Sequence, residues 1–194
     1  MYPIIVDNLL PAGYADDIEA DLTDRQFPWH YISDITFAGY GKNGGFANVV
    51  CDLGEPPGPY MSFLKPMMYS IEQVNGKKIN KLLRMRVGLL LPDSKNDVPY
   101  DTPHVDFMMP HYTACYYVMD SDGDTVLFDQ KLPEIGTNFT NDILFSYTQS
   151  AKFTEQARCA PVKNRLFLFD GFSFHASTKP KVSDRRIVIT CNFT

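Results

Sequence analysis

The spacing of hydrophobic and polar positions changes character part-way along the chain. Ile4-Ile5-Val6 reads as a short strand, and Asn8-Leu9-Leu10-Pro11 leads into a helix predicted over residues 12–22, with its acidic residues along a solvated side. From Phe27-Pro28-Trp29-His30-Tyr31 to about residue 58, glycines at 39, 41, 44, 45 and 54 punctuate short aromatic segments, which predicts loops with small strands. Phe63, Met67, Ile71 and Val74 then recur near helical spacing and predict a second helix over residues 60–74, kinked or shortened by Pro66. Beyond the Asn75-Gly76 turn signal only strands are expected, over residues 82–91, 114–119, 125–128, 166–169 and 186–193, with a weaker one at 143–147. Turn-forming runs such as Pro92-Asp93-Ser94, Asp120-Ser121-Asp122-Gly123-Asp124 and Asp170-Gly171 separate them.

Helices first and then six or more short strands predict a mainly β fold with supporting helices, a jelly-roll barrel carrying its helices on one sheet. With 194 residues, 44% of them hydrophobic and 13% aromatic, the chain can bury one sizeable core but hardly two. A single domain over residues 1–194 is expected, residues 1–80 supplying helical support and loops and residues 81–194 the jelly-roll core.

A net charge of -5 and a pI near 5.3 give no general field for nucleic acid or an anionic membrane surface, although a local basic pocket remains compatible with them. No run of about 18 apolar residues occurs, and the opening Met1-Tyr2-Pro3-Ile4-Ile5-Val6-Asp7 lacks the basic, apolar, small-residue order of a signal peptide. A soluble cytoplasmic protein is expected. Cys51, Cys115, Cys159 and Cys191 are scattered, without a C-x-x-C pair, so neither a zinc knuckle nor a disulfide framework is indicated; Cys115 and Cys191 fit strands as small buried hydrophobes.

The candidate chemistry lies in His104-Val105-Asp106, the distant His175 and the later Arg185-Arg186. Two imidazoles and a carboxylate suit Fe(II) and leave coordination positions open for a chelating cosubstrate and dioxygen. In extended backbone, residues two apart share a face, so His104 and Asp106 can reach one ion. His175 follows a buried-strand run, 166–169, and its turn, so a neighbouring barrel strand can present it to the same place. In the run 186–193, Ile187, Ile189, Cys191 and Phe193 form an apolar face for the helices, while Arg186, Val188, Thr190 and Asn192 line the other, interior face. That parity favours Arg186 over Arg185 as a forked donor for a carboxylate.

Taken together, His104-Val105-Asp106, Tyr116-Tyr117-Val118, Asp122 to Phe128, Asn164 to Phe169 leading to His175, and Arg186-Ile187-Val188-Ile189 resemble the 2-oxoglutarate- and Fe(II)-dependent dioxygenases, in particular the prolyl-4-hydroxylase-like branch with its small phage-encoded members. The resemblance spans roughly residues 82–193. It implies a double-stranded β-helix in which His104, Asp106 and His175 bind Fe(II), 2-oxoglutarate chelates the metal and Arg186 clamps its far carboxylate. It also implies that dioxygen is consumed with release of succinate and carbon dioxide as an unactivated C–H bond is hydroxylated, with ascorbate a compatible reductant. Tyr116 matches a family position that hydrogen-bonds the far carboxylate, and Thr190 could add a hydroxyl contact.

Two departures stand out: Asp122-Gly123 replaces a common Gly-Gly pair, and Thr125 stands where leucine is common. The presence of Asp106 argues against the halogenating relatives. Arg84 and Arg86 alternate with Leu83, Met85 and Val87, so both point away from the apolar face, either toward substrate or cosubstrate or into an edge salt bridge. His30 is expected at the surface, Trp29 in the core or rim, and His111 in a loop, at best at the pocket mouth. A silent jelly-roll binding module and a cupin-type metal enzyme are the competing readings; the complete ligand set counts against the first and the shortage of histidines against the second. The resemblance extends to hydroxylases of prolyl and other protein residues and of small molecules, so peptide, protein and small-molecule substrates all stay open, as does the oligomeric state.

Overall fold

The structure is a computed structural model that describes residues 2–37, 40, 43–93, 98–132 and 140–194. In chain order its elements are β1 (Ile4–Val6), α1 (Ala12–Thr23), β2 (His30–Ile32), β3 (Gly45–Asp52), α2 (Met61–Leu64), α3 (Met67–Asn75), β4 (Leu82–Leu90), β5 (Tyr112–Tyr117), β6 (Thr125–Lys131), α4 (Asn141–Ser150), β7 (Glu155–Cys159), β8 (Arg165–Asp170), β9 (Ser173–Ser177) and β10 (Arg186–Phe193). The strands form two antiparallel sheets, a larger one ordered β1-β8-β5-β10-β4-β3-β2 and a smaller one ordered β7-β6-β9. They make the jelly roll expected from the sequence, mostly β with its helices outside.

Side-chain alternation along each strand divides the apolar residues among three clusters. The odd positions of β10, with Met85 and Val87 of β4, Ala114 and Tyr116 of β5 and Leu166 and Leu168 of β8, pack on Ile18 and Leu22 of α1 and on Met67 and Ile71 of α3. Between the sheets lie Cys115, Tyr117, Leu127, Cys159, Phe167, Phe169 and Val188. The outer face of the small sheet, Val126, Phe128, Phe174 and Ala176, is covered by Phe37, by Leu132 and by Leu144 of α4. Asn164, at φ 64, ties the N-terminal segment to the barrel: its side chain donates to the Leu10 carbonyl at 2.8 Å and accepts from the Leu10 amide at 2.9 Å.

Several elements differ from the sequence-based expectation. The predicted helix over 60–74 is two helices, because Pro66 supplies no amide for the preceding turn; α3 restarts after it and ends on Gly76 in the left-handed conformation, φ 68. The strand expected at 143–147 is the helix α4, whose Thr140 side chain caps the Ile143 amide at 3.3 Å and whose buried Leu144 and Thr148 stand one turn apart. β3 is a full sheet strand where short segments were expected, and three strands of the N-terminal 80 residues join the large sheet, so that portion is more than helical support. β7 carries no strand signal in the sequence, because its Glu-Gln-Ala-Arg-Cys run is too polar to alternate visibly. Ser94 of the Pro92-Asp93-Ser94 turn signal, and Gly39 and Gly41, lie outside the described residues.

Candidate metal and cosubstrate centre

His104 and His175 come from opposite ends of one isolated antiparallel bridge. Each backbone amide donates to the other residue's carbonyl at 2.9 Å, so the two rings are held side by side with centroids 4.4 Å apart. His175 lies on the inner face of β9, opposite Leu127 of β6, and Asp106 follows two residues after His104. One ligand atom from each of His104, Asp106 and His175 lies within 4.8 Å of the others.

The donor set fits a divalent cation. The Nδ1 of His104 faces the Thr102 carbonyl at 3.2 Å and that of His175 faces the Ser173 carbonyl at 3.3 Å. A carbonyl only accepts, so Nδ1 carries the proton on both rings and each Nε2 keeps its lone pair for a metal. Burial holds both imidazoles neutral: it and the neighbouring His175 push His104 down to about 3, and burial lowers His175 as well. Burial alone would raise the Asp106 carboxyl, but the positive charges of Arg84, foremost, and Arg86 outweigh it and hold it well below the usual carboxylate range. Arg84 Nη2 donates to Asp106 Oδ1 at 2.5 Å and Asn192 Nδ2 to Oδ2 at 2.9 Å, so both oxygens are oriented and lone pairs remain for an ion.

Arg186 lies buried at the start of β10, on its interior face, as strand parity required. Its Nε donates to the Gly123 carbonyl at 2.5 Å, Nη2 donates to Thr125 Oγ1 at 2.8 Å, and its guanidinium lies 5.8 Å from the Tyr117 ring centre. Tyr117 also donates to Thr125 Oγ1, at 2.7 Å. With two donors already aimed at that oxygen, the Thr125 hydroxyl hydrogen is free to point into the pocket, beside the unused Arg186 donors. One pocket, partly open to solvent, is lined by Arg186, Thr125, Thr190, Cys115 and Arg86 together with His104, Asp106 and His175. Arg185, half-exposed, stands outside it with Asp184 3.9 Å away.

Tyr116 requires correction. It sits on the helix-facing side of β5, its hydroxyl donating to Asn164 Oδ1 at 3.3 Å, and lies among the core side chains behind the sheet. Tyr117 holds the inner position, opposite Val188 of β10. The parity that selects Arg186 over Arg185 also selects Tyr117, because Val188, Tyr117 and Cys115 share one face. His111 is buried rather than at the mouth of this pocket; its Nδ1 faces the Met109 carbonyl at 2.8 Å, and its ring fills the space where Gly171 has no side chain. Asn192, seen in the sequence only as an interior strand position, proves to be a partner of Asp106. Thr125, seen only as a departure from the pattern, proves to be a partner of Arg186.

Neither a protein-family model nor a curated protein sequence matches this chain. Solved structures do. An oxidoreductase of the 2OG-Fe(II) oxygenase family from Burkholderia pseudomallei superposes with a TM-score of 0.63 at 12% identity, over 99% of this chain and 84% of that one. The epimerase SnoN in complex with Fe3+, alpha ketoglutarate and nogalamycin RO gives 0.61 at 14% identity, over 99% and 78%. A prolyl hydroxylase in complex with a hypoxia inducible factor peptide fragment, from Trichoplax adhaerens, gives 0.58 at 17% identity, over 98% and 82%. At such identities the likeness is one of fold, and the fold of this chain is the jelly roll of the 2-oxoglutarate- and Fe(II)-dependent oxygenases.

Proposed function

We propose that this chain is an Fe(II)- and 2-oxoglutarate-dependent oxygenase that oxidises an unactivated C–H bond, by hydroxylation in the simplest case. The observation that carries the reading is the pairing of two Nε2 lone pairs and one oriented carboxylate with a buried arginine in the same pocket. His104, Asp106 and His175 hold the metal in this reading; Arg186, with Thr125 and Thr190 beside it, receives the far carboxylate of 2-oxoglutarate. Fe(II) with 2-oxoglutarate would supply dioxygen activation, at the expense of the cosubstrate, which leaves as succinate and carbon dioxide.

The chain's own groups do the rest. Thr102 and Ser173 fix the tautomers through their carbonyls, and Arg84 and Asn192 aim the carboxylate. The layer of Cys115, Tyr117, Leu127, Phe169 and Val188 keeps water from the inner end of the pocket, where a guanidinium binds a carboxylate more strongly than it does in water. Burial also keeps the Tyr117 phenol protonated and able to donate. A prolyl or other peptide residue is one candidate substrate, by analogy with the peptide-bound prolyl hydroxylase that shares the fold; the epimerase shows that the same fold carries other outcomes.

The test is turnover of 2-oxoglutarate to succinate by protein supplied with Fe(II). Succinate is expected from the wild type and none from His104→Ala or Asp106→Ala, with both variants folded; equal turnover in all three overturns the reading. A substrate follows from screening peptides and metabolites for gain of one oxygen atom coupled to succinate release.

A further inference from the structure

We propose that Arg86 is the substrate-recognition residue of this pocket and that it receives an acid group, a carboxylate or phosphate, on the molecule that is oxidised. The inference rests on the oxygenase reading and adds the substrate class to it.

Three guanidiniums gather around this centre, and two of them have evident partners. Arg84 is paired with Asp106 at 2.5 Å. Arg186 is built into the side of the pocket formed by β5 and β6, where Gly123, Thr125 and Tyr117 hold it ready for the cosubstrate. Arg86 has nothing comparable. Its one hydrogen bond among the described residues is a long one, from Nη1 to the Ile35 carbonyl at 3.4 Å. Asp106, the one carboxylate among the described residues that line the pocket, is already engaged by Arg84 and Asn192. A partly buried cation whose fork has no anion in hydrogen-bond contact is costly, and a ligand that brings one relieves the cost. The planar fork of arginine suits carboxylate and phosphate oxygens.

Position separates Arg86 from the cosubstrate clamp. Arg86 pairs in register with Thr190 of β10 on one side and Val49 of β3 on the other, so it stands on the far flank of β10 from β5. Its guanidinium reaches toward Ile35, and the wall on its face of the sheet is largely apolar, with Ile35, Ala47, Gly88 and Leu90 beside Thr36. A molecule entering from that side meets an apolar wall for its carbon chain and one cation for its acid group, with the metal ligands beyond.

The test is calorimetry on protein saturated with redox-inert Zn(II) and 2-oxoglutarate, titrated with hexanoate, hexyl phosphate and the neutral hexanamide. An acid is expected to bind about tenfold or more tighter than the amide, as a charge-assisted hydrogen bond implies. Arg86→Gln should erase that preference and leave amide binding and 2-oxoglutarate affinity unchanged, while Arg86→Lys should retain part of it. The stronger of the two acids identifies the group. Equal binding of acid and amide by the wild type, a preference that survives Arg86→Gln, or a loss of 2-oxoglutarate affinity in that variant each overturns the proposal. Failure of 2-oxoglutarate to bind the Zn(II) protein would instead count against the oxygenase reading; the acid and amide titrations of metal-free Arg186→Gln protein, with and without Arg86→Gln, then still decide the role of Arg86.

Discussion

Asn192 shows how a residue without chemistry of its own can govern a centre. Its amide nitrogen spends both hydrogens, one on Asp106 Oδ2 at 2.9 Å and one on Thr113 Oγ1 at 3.1 Å, and so fixes the carboxylate rotamer before any ion arrives. Asn192→Ala should weaken metal binding by about 10–100-fold, the usual cost of losing an orienting partner, read by titration of Zn(II) or Fe(II) into the folded variant; unchanged affinity would remove Asn192 from the site. Gly123 is constrained from another direction. A methyl group there would stand 2.7 Å from the Thr178 carbonyl and 2.8 Å from Arg186 Cδ. Gly123→Ala should therefore cost about 1–3 kcal/mol in denaturant unfolding and weaken 2-oxoglutarate binding by displacing Arg186. In this chain the second glycine of the Gly-Gly pair common in the family is a packing requirement. The first position tolerates Asp122, whose carboxylate accepts from the Lys181, Val182 and Ser183 amides and closes the loop leading to β10.

At the scale of elements, the helices of the N-terminal portion bury one side of the large sheet, and α3 presents Ile71 to it with no exposure. Ile71→Ala should destabilise the fold by about 2–5 kcal/mol, measured by urea unfolding, whereas Ile143→Ala on the exposed face of α4 should change it little. How legible each element was follows from the same geometry. β4 and β10 could be read nearly to the residue because one face of each meets the helix layer and the other the barrel, so their alternation is strong. α4 could not, because Ile143-Leu144-Phe145 is a continuous apolar run and the helical signal lay in the Thr140 cap and the spacing of Leu144 and Thr148. β7 is a polar strand at the edge of its sheet, paired among the described residues with β6 alone, and it carries almost no hydrophobic signal. In the site, spacing and parity brought out His104, Asp106, His175 and Arg186. Tyr116 matches a family position but faces the helices, strand parity pointing to Tyr117 instead, and the roles of Asn192 and Thr125 depend on cross-strand neighbours that no local spacing reveals.

For the molecule as a whole, the acid sensitivity of the metal-free fold follows from the same buried groups. His104 is depressed from 6.5 to about 3, so between those values the unfolded chain binds a proton that the folded chain refuses. His175 is shifted in the same direction. Asp106, held well below 3.8, stabilises the fold above that value and loses the contribution as the pH falls through its lowered pKa. The two histidines make stability fall as the pH drops below about 6.5, and Asp106 adds to the fall only below about 3.8. Urea midpoints should therefore decline from pH 7 toward pH 4, and less steeply in His104→Gln; a midpoint independent of pH over that range would contradict the assignment.

The bridge between His104 and His175 has a consequence for motion. The two residues that offer their rings to an ion also exchange backbone hydrogen bonds, so opening the bridge and releasing the ion are the same event seen from two sides of the backbone. The amide protons of His104 and His175 thus become reporters. Their exchange with solvent should slow by the factor in which metal is present over its dissociation constant, while amides of the exposed edge strand β2, which no ion touches, keep their rates.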